Sequence, residues 1–414
     1  MHVETKNCPA DLVLPGKSRT GVVPHTVFCS EGFSMSHVLV TGGAGFIGSH
    51  IADLLVAHGY SVRIIDLLDP QIHGSGECFP DYMNPAVECV QGDVRNSQDI
   101  RKALEGIDAV FHCAAFTGVG QSMYDMRSYL DTNSTGTATL LEALVKMSLP
   151  IRRLVLASSR AVYGEGTHRC RTHGILYPGM RNRCDMENGR FEVFCPACGQ
   201  ALEPLPTEEN RPLNPFSLYG WTKKHQEDLC RYAADIFGLP VTILRFFNVY
   251  GSRQSLKNPY TGILSVFHSR ISAGHPVSIY ERGLPGRDFI HVADVARANL
   301  LALEKDLPPG ICINIGTGKM VSVREVAVLL GERLGASPEI LDSGEFRVGD
   351  VCRCYADLTR MESLLGFQPV FGLREGIDEF VGWARREETA DLYHKTVEEL
   401  ESHGLFGRAK CGDS

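Results

Sequence analysis

The stretch SHVLVTGGAGFIGSHIADLLVAHGYSVRIID, residues 36–66, decides the fold. His37-Val38-Leu39-Val40-Thr41 is a short apolar run that reads as a strand. Gly42-Gly43-Ala44-Gly45-Phe46-Ile47-Gly48 follows at once, then a helical pattern with Ile47, Ile51, Leu54 and Leu55 on one face. Gly59 is placed to end that helix, and Ser61 to Ile65 reads as a second strand with Asp66 at its end. Glycines permit the tight turn and a close approach of pyrophosphate to backbone. The helix N-terminus offers free N–H groups, and a carboxylate after the second strand can hold both ribose hydroxyls. A plain strand–helix–strand turn is the competing reading. The order of all the parts favours dinucleotide binding, and Asp66 favours NAD because a 2′-phosphate would meet its charge.

A chain of 414 residues accommodates one large α/β unit or two domains. Apolar content of 43% and charged content of 22% are those of a globular protein. A net charge of −8 argues against a nucleic-acid surface. No apolar run reaches the ~18 residues of a membrane span, and no secretory signal pattern opens the chain. Fourteen cysteines are scattered along it, which points to reduced thiols in a cytoplasmic protein, with any local cluster a metal site.

Residues 1–35 lack periodicity and read as a disordered leader, with Met35 as an alternative start. From 36 to about 165 strands and helices alternate, which predicts a doubly wound, Rossmann-type parallel sheet in an NAD-binding domain over 36–250. Its further strands fall at 87–90, 109–112, 153–157 and 241–245, with a long helix from about Ser134 and another over 217–237. Residues 164–212 break the rhythm and look inserted. Residues 251–405 read mainly as a smaller substrate-binding lobe, with helices near 261–273, 292–304 and 322–334. Residues 406–414 read as a frayed tail.

Tyr219 and Lys223 stand four apart at the start of a helix, so the phenol and the ammonium share one face. A nearby ammonium lowers a phenol's pKa, which makes Tyr219 a candidate general base. A solvated surface pair is the bland alternative.

With these residues the chain resembles the extended short-chain dehydrogenase/reductases that act as nucleotide-sugar epimerases and dehydratases. The resemblance covers about 36–385. It rests on the glycine turn, on Gly92-Asp93-Val94, His112-Cys113-Ala114-Ala115, Ser158-Ser159-Arg160-Ala161-Val162-Tyr163-Gly164 and Tyr219 with Lys223. It continues through Arg245 to Gly251, Arg287 to Val292, Asn314-Ile315-Gly316 and Arg347 to Asp350. It implies that Gly42, Gly45, Phe46, Ile47 and Gly48 lie under the NAD pyrophosphate and that Asp66 holds the adenosine ribose. Asp93 and Val94 would flank the adenine. Ala114 and Ala115 would line the cofactor, and Lys223 would touch the nicotinamide ribose. Ser159 would bond the reacting sugar oxygen and Tyr219 would move its proton. Thr117 would line the sugar pocket. Asn248, Arg287 and Arg347 would hold the diphosphate, where arginine forks suit paired oxygens.

Dehydratases of this family carry Asp and Glu after the Ser/Thr, and its decarboxylases carry a Glu there. Here Arg160 and Ala161 stand in those places, so elimination has no local acid/base pair. The resemblance therefore implies an isomerase, a nucleotide-sugar 4-epimerase working through a transient 4-keto sugar. Within the insert, Cys170-x-x-His173 and Cys195-x-x-Cys198 suit structural, four-coordinate Zn²⁺. Cys184 or His168 could replace a ligand, and an unliganded cysteine loop is the alternative. Such an insert resembles the subgroup that interconverts dTDP-L-rhamnose and dTDP-6-deoxy-L-talose. UDP-hexose 4-epimerisation and net 4-dehydrogenation stay open, as does a non-catalytic NAD-binding scaffold. The family also implies a homodimer through the helix that bears Tyr219.

Overall fold

The computed structural model describes residues 36–74, 78–258, 260 and 262–410. The leader lies outside the described residues.

Seven strands form one parallel sheet: β1 His37–Thr41, β2 Ser61–Asp66, β3 Glu88–Gln91, β4 Ala109–His112, β5 Arg153–Ser159, β6 Val241–Phe246 and β7 Ile311–Ile315. Their order is β7-β6-β5-β4-β1-β2-β3, with every neighbouring pair parallel. The order reverses between β1 and β4, and a crevice at that point is where such sheets bind ligands. Thr41 lies level with Ile65 and His112, so the loops after β1, β2 and β4 open on one edge.

Alternation along the strands builds two cores. Val38, Val40 and Ile64 face the helices Phe46–Ala57 and Val292–Glu304. Leu39 and Ile65 face the helices Ser97–Ala103, Gly136–Lys146 and Leu218–Phe237. All five side chains are fully buried, each contributing about 1.5–3 kcal/mol of apolar burial. A third core joins the helices Ile263–Ser272, Val323–Leu334 and Leu373–Ala384 beyond the strand ends. Among the described residues no helix is long and apolar enough to cross a membrane.

Three segments differ from the sequence reading. The insert holds short strands, His168–Cys170, Gly174–Leu176 and Glu203–Pro204, and one helical turn, Arg183–Glu187. They are too short to show periodicity. The helix expected from Ser134 begins as a wide turn, Leu130–Thr135, before the regular helix. There Asn133 turns inward to clamp two backbone groups of Phe116 and the Thr222 hydroxyl. Phe406–Arg408, expected as frayed, is a strand antiparallel to Glu345–Arg347, anchored by buried Phe406. One aromatic in three residues leaves no pattern to read.

Candidate active site and metal centre

Close packing forces the glycine turn after β1. Gly42 has φ +67°, and a Cβ there would lie 2.7 Å from the Ala114 nitrogen. A Cβ on Gly48 would lie 2.2 Å from the Gly42 oxygen, whereas Gly45 meets nothing closer than 3.3 Å. The helix Phe46–Ala57 starts without a side-chain cap or an acidic residue in its first turn. Its free N–H groups thus remain for an anion. Asp66 at the end of β2 is held by the Ala44 and Leu68 amides, at 3.0 and 2.9 Å. Gly42, Gly45, Phe46, Ile47, Gly48 and Asp66 line a cleft of about 820 Å³ together with Asp93, Val94, Ala114, Ala115, Thr117, Tyr219 and Lys223. An uncapped helix start, a glycine cradle and an oriented carboxylate fit NAD.

Ser217 caps the helix Leu218–Phe237 by accepting from the Gly220 amide, and Ser122 accepts from the Tyr219 amide at 3.0 Å. Gly220 lets the helix start press onto Ala161. Together these contacts bring the Tyr219 phenol beside Ser159 at the end of β5, near enough for the hydroxyl to act on its ionisation. The expected lowering of Tyr219 by Lys223 is not found. Burial pushes the Tyr219 phenol above its ordinary value, against smaller lowering effects of Ser159 and Arg160. The Lys223 ammonium instead donates to the Ala157 carbonyl at 2.8 Å, and burial lowers its pKa to about 8. Helical spacing placed both groups on one face but did not reveal this carbonyl.

A second pocket of about 240 Å³ adjoins the cleft and shares Leu256, Asn258, Tyr260 and Leu392 with it. Asn248, Arg287 and Arg347 all line it. Arg287 is fixed by the Gly286 and Cys352 carbonyls, at 2.9 and 2.7 Å. Arg347 pairs with Asp350 at 2.8 Å. The Asn248 side-chain oxygen is buried without a partner among the described residues, as a ligand-facing acceptor would be. Arg160 also lines this pocket. Sequence reasoning used position 160 only for its missing carboxylate, although its neighbour Ser159 was a signal that it stands near the candidate site.

The four insert residues converge. The ligand atoms of Cys170, His173, Cys195 and Cys198 all lie within 4.8 Å of one another. Cys170 to Cys198 is 3.6 Å, Cys170 to His173 3.6 Å, and Cys195 to His173 3.4 Å. Tetrahedral zinc with bonds of about 2.0–2.3 Å has edges of roughly 3.3–3.8 Å, so the donor set fits the ion. One pair of ligands sits on the hairpin that joins Cys170 to Gly174, the other on a turn closed by the Gly199 amide on the Cys195 carbonyl. Cys184 and His168 are not in the cluster.

Sheet order, glycine cradle and the Tyr219–Ser159 pair define a Rossmann-fold enzyme that uses NAD. The model of the NAD dependent epimerase/dehydratase family matches residues 38–178 and 195–316, and the chain belongs to that family. The gap between the two matches falls inside the insert. A dTDP-L-rhamnose 4-epimerase of Burkholderia thailandensis is 35% identical over 352 residues, 84% of this chain and 95% of that one. A putative UDP-glucose 4-epimerase of Methanocaldococcus jannaschii is 34% identical over 350 residues, 84% of this chain and 98% of that one. The solved structure of MoeE5 in complex with UDP-glucose and NAD is 34% identical with a TM-score of 0.67. That match covers 85% of this chain and 99% of MoeE5.

Proposed function

We propose that this protein is an NAD-dependent nucleotide-sugar 4-epimerase. The observation that carries the reading is Tyr219 in the NAD cleft beside Ser159, with an arginine-lined pocket adjoining that cleft and no carboxylate at 160 or 161. Arg160, Arg287, Arg347 and the amide nitrogen of Asn248 hold the diphosphate, and the Asn248 oxygen is left for a donor of the nucleotide or sugar. Ser159 holds the sugar 4-hydroxyl, and Tyr219 takes its proton as the phenolate, a form that the positive charge of bound NAD would favour relative to the cofactor-free protein. Bound NAD supplies a reversible acceptor for the hydrogen at C4. The 4-keto sugar turns over between the two pockets, and Tyr219 returns the proton once hydrogen has come back to the opposite face.

A UDP-hexose is the first substrate to test. Support comes from the M. jannaschii relative and from MoeE5, whose names carry UDP-glucose. The dTDP-L-rhamnose/dTDP-6-deoxy-L-talose pair is the second reading, favoured by the Burkholderia relative and by the Cys/His insert. The cluster holds structural Zn²⁺ in this account. The protein is a homodimer through the helix Leu218–Phe237, which leaves Trp221, Tyr232, Ile236 and Phe237 exposed.

Purified protein incubated with UDP-glucose, UDP-glucuronate and dTDP-L-rhamnose, without added cofactor, tests the reading by NMR of the products. A C4 epimer of one of them supports it. Accumulated NADH, lost water or three unchanged sugars contradict it.

A further inference from the structure

We propose that the Cys/His insert is a buttress behind the nucleotide-sugar pocket rather than an appendage, and that Arg181 is its positioning residue. The inference rests on the proposed nucleotide-sugar site. Arg181 lies in the insert, and its side chain is only 6% exposed. Both terminal nitrogens of its guanidinium bond Glu281, at 2.6 and 2.9 Å. One of them also donates to the Asp350 carbonyl at 2.8 Å, and the other to the Phe191 carbonyl at 2.9 Å. Its Nε lies 3.1 Å from the Glu165 carboxylate. Glu165 in turn accepts from the Cys352 amide at 2.8 Å.

Every one of these partners borders the pocket or the segment that builds it. Glu281 and Asp350 line it. Asp350 carries Arg347, and the Cys352 carbonyl carries Arg287. The two arginines assigned to the diphosphate are therefore aimed by residues that Arg181 and Glu165 hold. Apolar packing follows the same line. Phe191 and Met186 of the insert pack on Phe346, and Cys170, Val193, Cys195 and Leu202 pack on Cys352. The insert thus grips residues 346–352 on both sides, with the Cys/His cluster in one of the two contacts.

A guanidinium serving two carboxylates and two carbonyls is a fixed fork that an ammonium cannot reproduce. Arg181→Lys keeps the charge, so the buried carboxylates are not left bare. Arg181→Met combined with Glu165→Gln and Glu281→Gln removes the charges together, should the lysine variant fail to fold. The measurement is calorimetric binding of UDP and dTDP to the full chain, with KM, kcat and retained NAD. We expect Arg181→Lys to weaken the better nucleotide at least tenfold and to raise KM in parallel. Saturated kcat stays within about threefold and retained NAD is unchanged, a split that general loosening of the fold does not produce. The neutral triple variant weakens the nucleotide likewise. Unchanged nucleotide affinity in the variant that folds, or equal loss of NAD, overturns the inference. A wild-type protein that binds neither nucleotide overturns the functional reading and this inference with it.

Discussion

Gly220 stands so close to Ala161 that a Cβ at position 220 would lie 2.6 Å from the Ala161 carbonyl oxygen. The contact joins the start of the Tyr219 helix to the turn that follows Ser159. Gly220→Ala must push these two backbones apart, and with them the phenol and the hydroxyl. Misplacement by about 1 Å costs on the order of 10²-fold in rate. We expect kcat to fall by that order while retained NAD, measured by absorbance after denaturation, is unchanged.

Tyr219→Phe removes the proton acceptor and little volume. Turnover should drop by about 10²–10⁴-fold, with NAD still bound. Turnover near wild type would remove Tyr219 from its role.

Lys223 makes a stability prediction. Burial lowers its pKa from 10.5 to about 8 in the folded chain. Between those values the unfolded chain binds a proton that the native one lacks, so stability rises with pH in that window. A shift of this size corresponds to about 3 kcal/mol. Denaturant titration of cofactor-free protein should show the wild type gaining stability from pH 8 to 10.5 relative to Lys223→Met. Parallel curves would contradict it.

Both oxygens of Asp66 accept backbone N–H groups. Asp66→Asn replaces one acceptor by a donor facing a donor and removes the charge. Hydrogen bonds to a charged group are worth about 1.5–3 kcal/mol, so NAD affinity should fall by roughly 10- to 100-fold in calorimetry. An unmoved affinity would show that the ribose is held elsewhere.

Elemental analysis should find about one zinc per chain, and none in Cys195→Ser. Because folding and metal binding are coupled in such knuckles, that variant should also lose its protease resistance within 164–212. Metal content and digestion unchanged from wild type would remove the zinc assignment.

Much of the fold was legible because strong local signals agreed with one another. The glycine turn, the alternating strands and Asp66 each pointed to the same sheet, and the cradle residues gather in one cleft. The four metal-ligand candidates were readable because knuckle spacing survives in a loop without periodicity. What escaped depends on contacts between distant segments. The Ala157 carbonyl that takes the Lys223 ammonium lies 66 residues away, and Glu281 lies 100 residues from Arg181. Neither pairing leaves a spacing signal. Position 160 was read only for the carboxylate it lacks, so the guanidinium facing the pocket was overlooked.

The central claim concerns one hydrogen atom. Purified protein is given a UDP-hexose or dTDP-L-rhamnose carrying deuterium at C4, with no added cofactor, and the product is read by NMR and mass spectrometry. The account predicts a mixture of two C4 epimers in which deuterium stays on C4 of both. Deuterium lost to solvent, or a product lighter by one water, would contradict it.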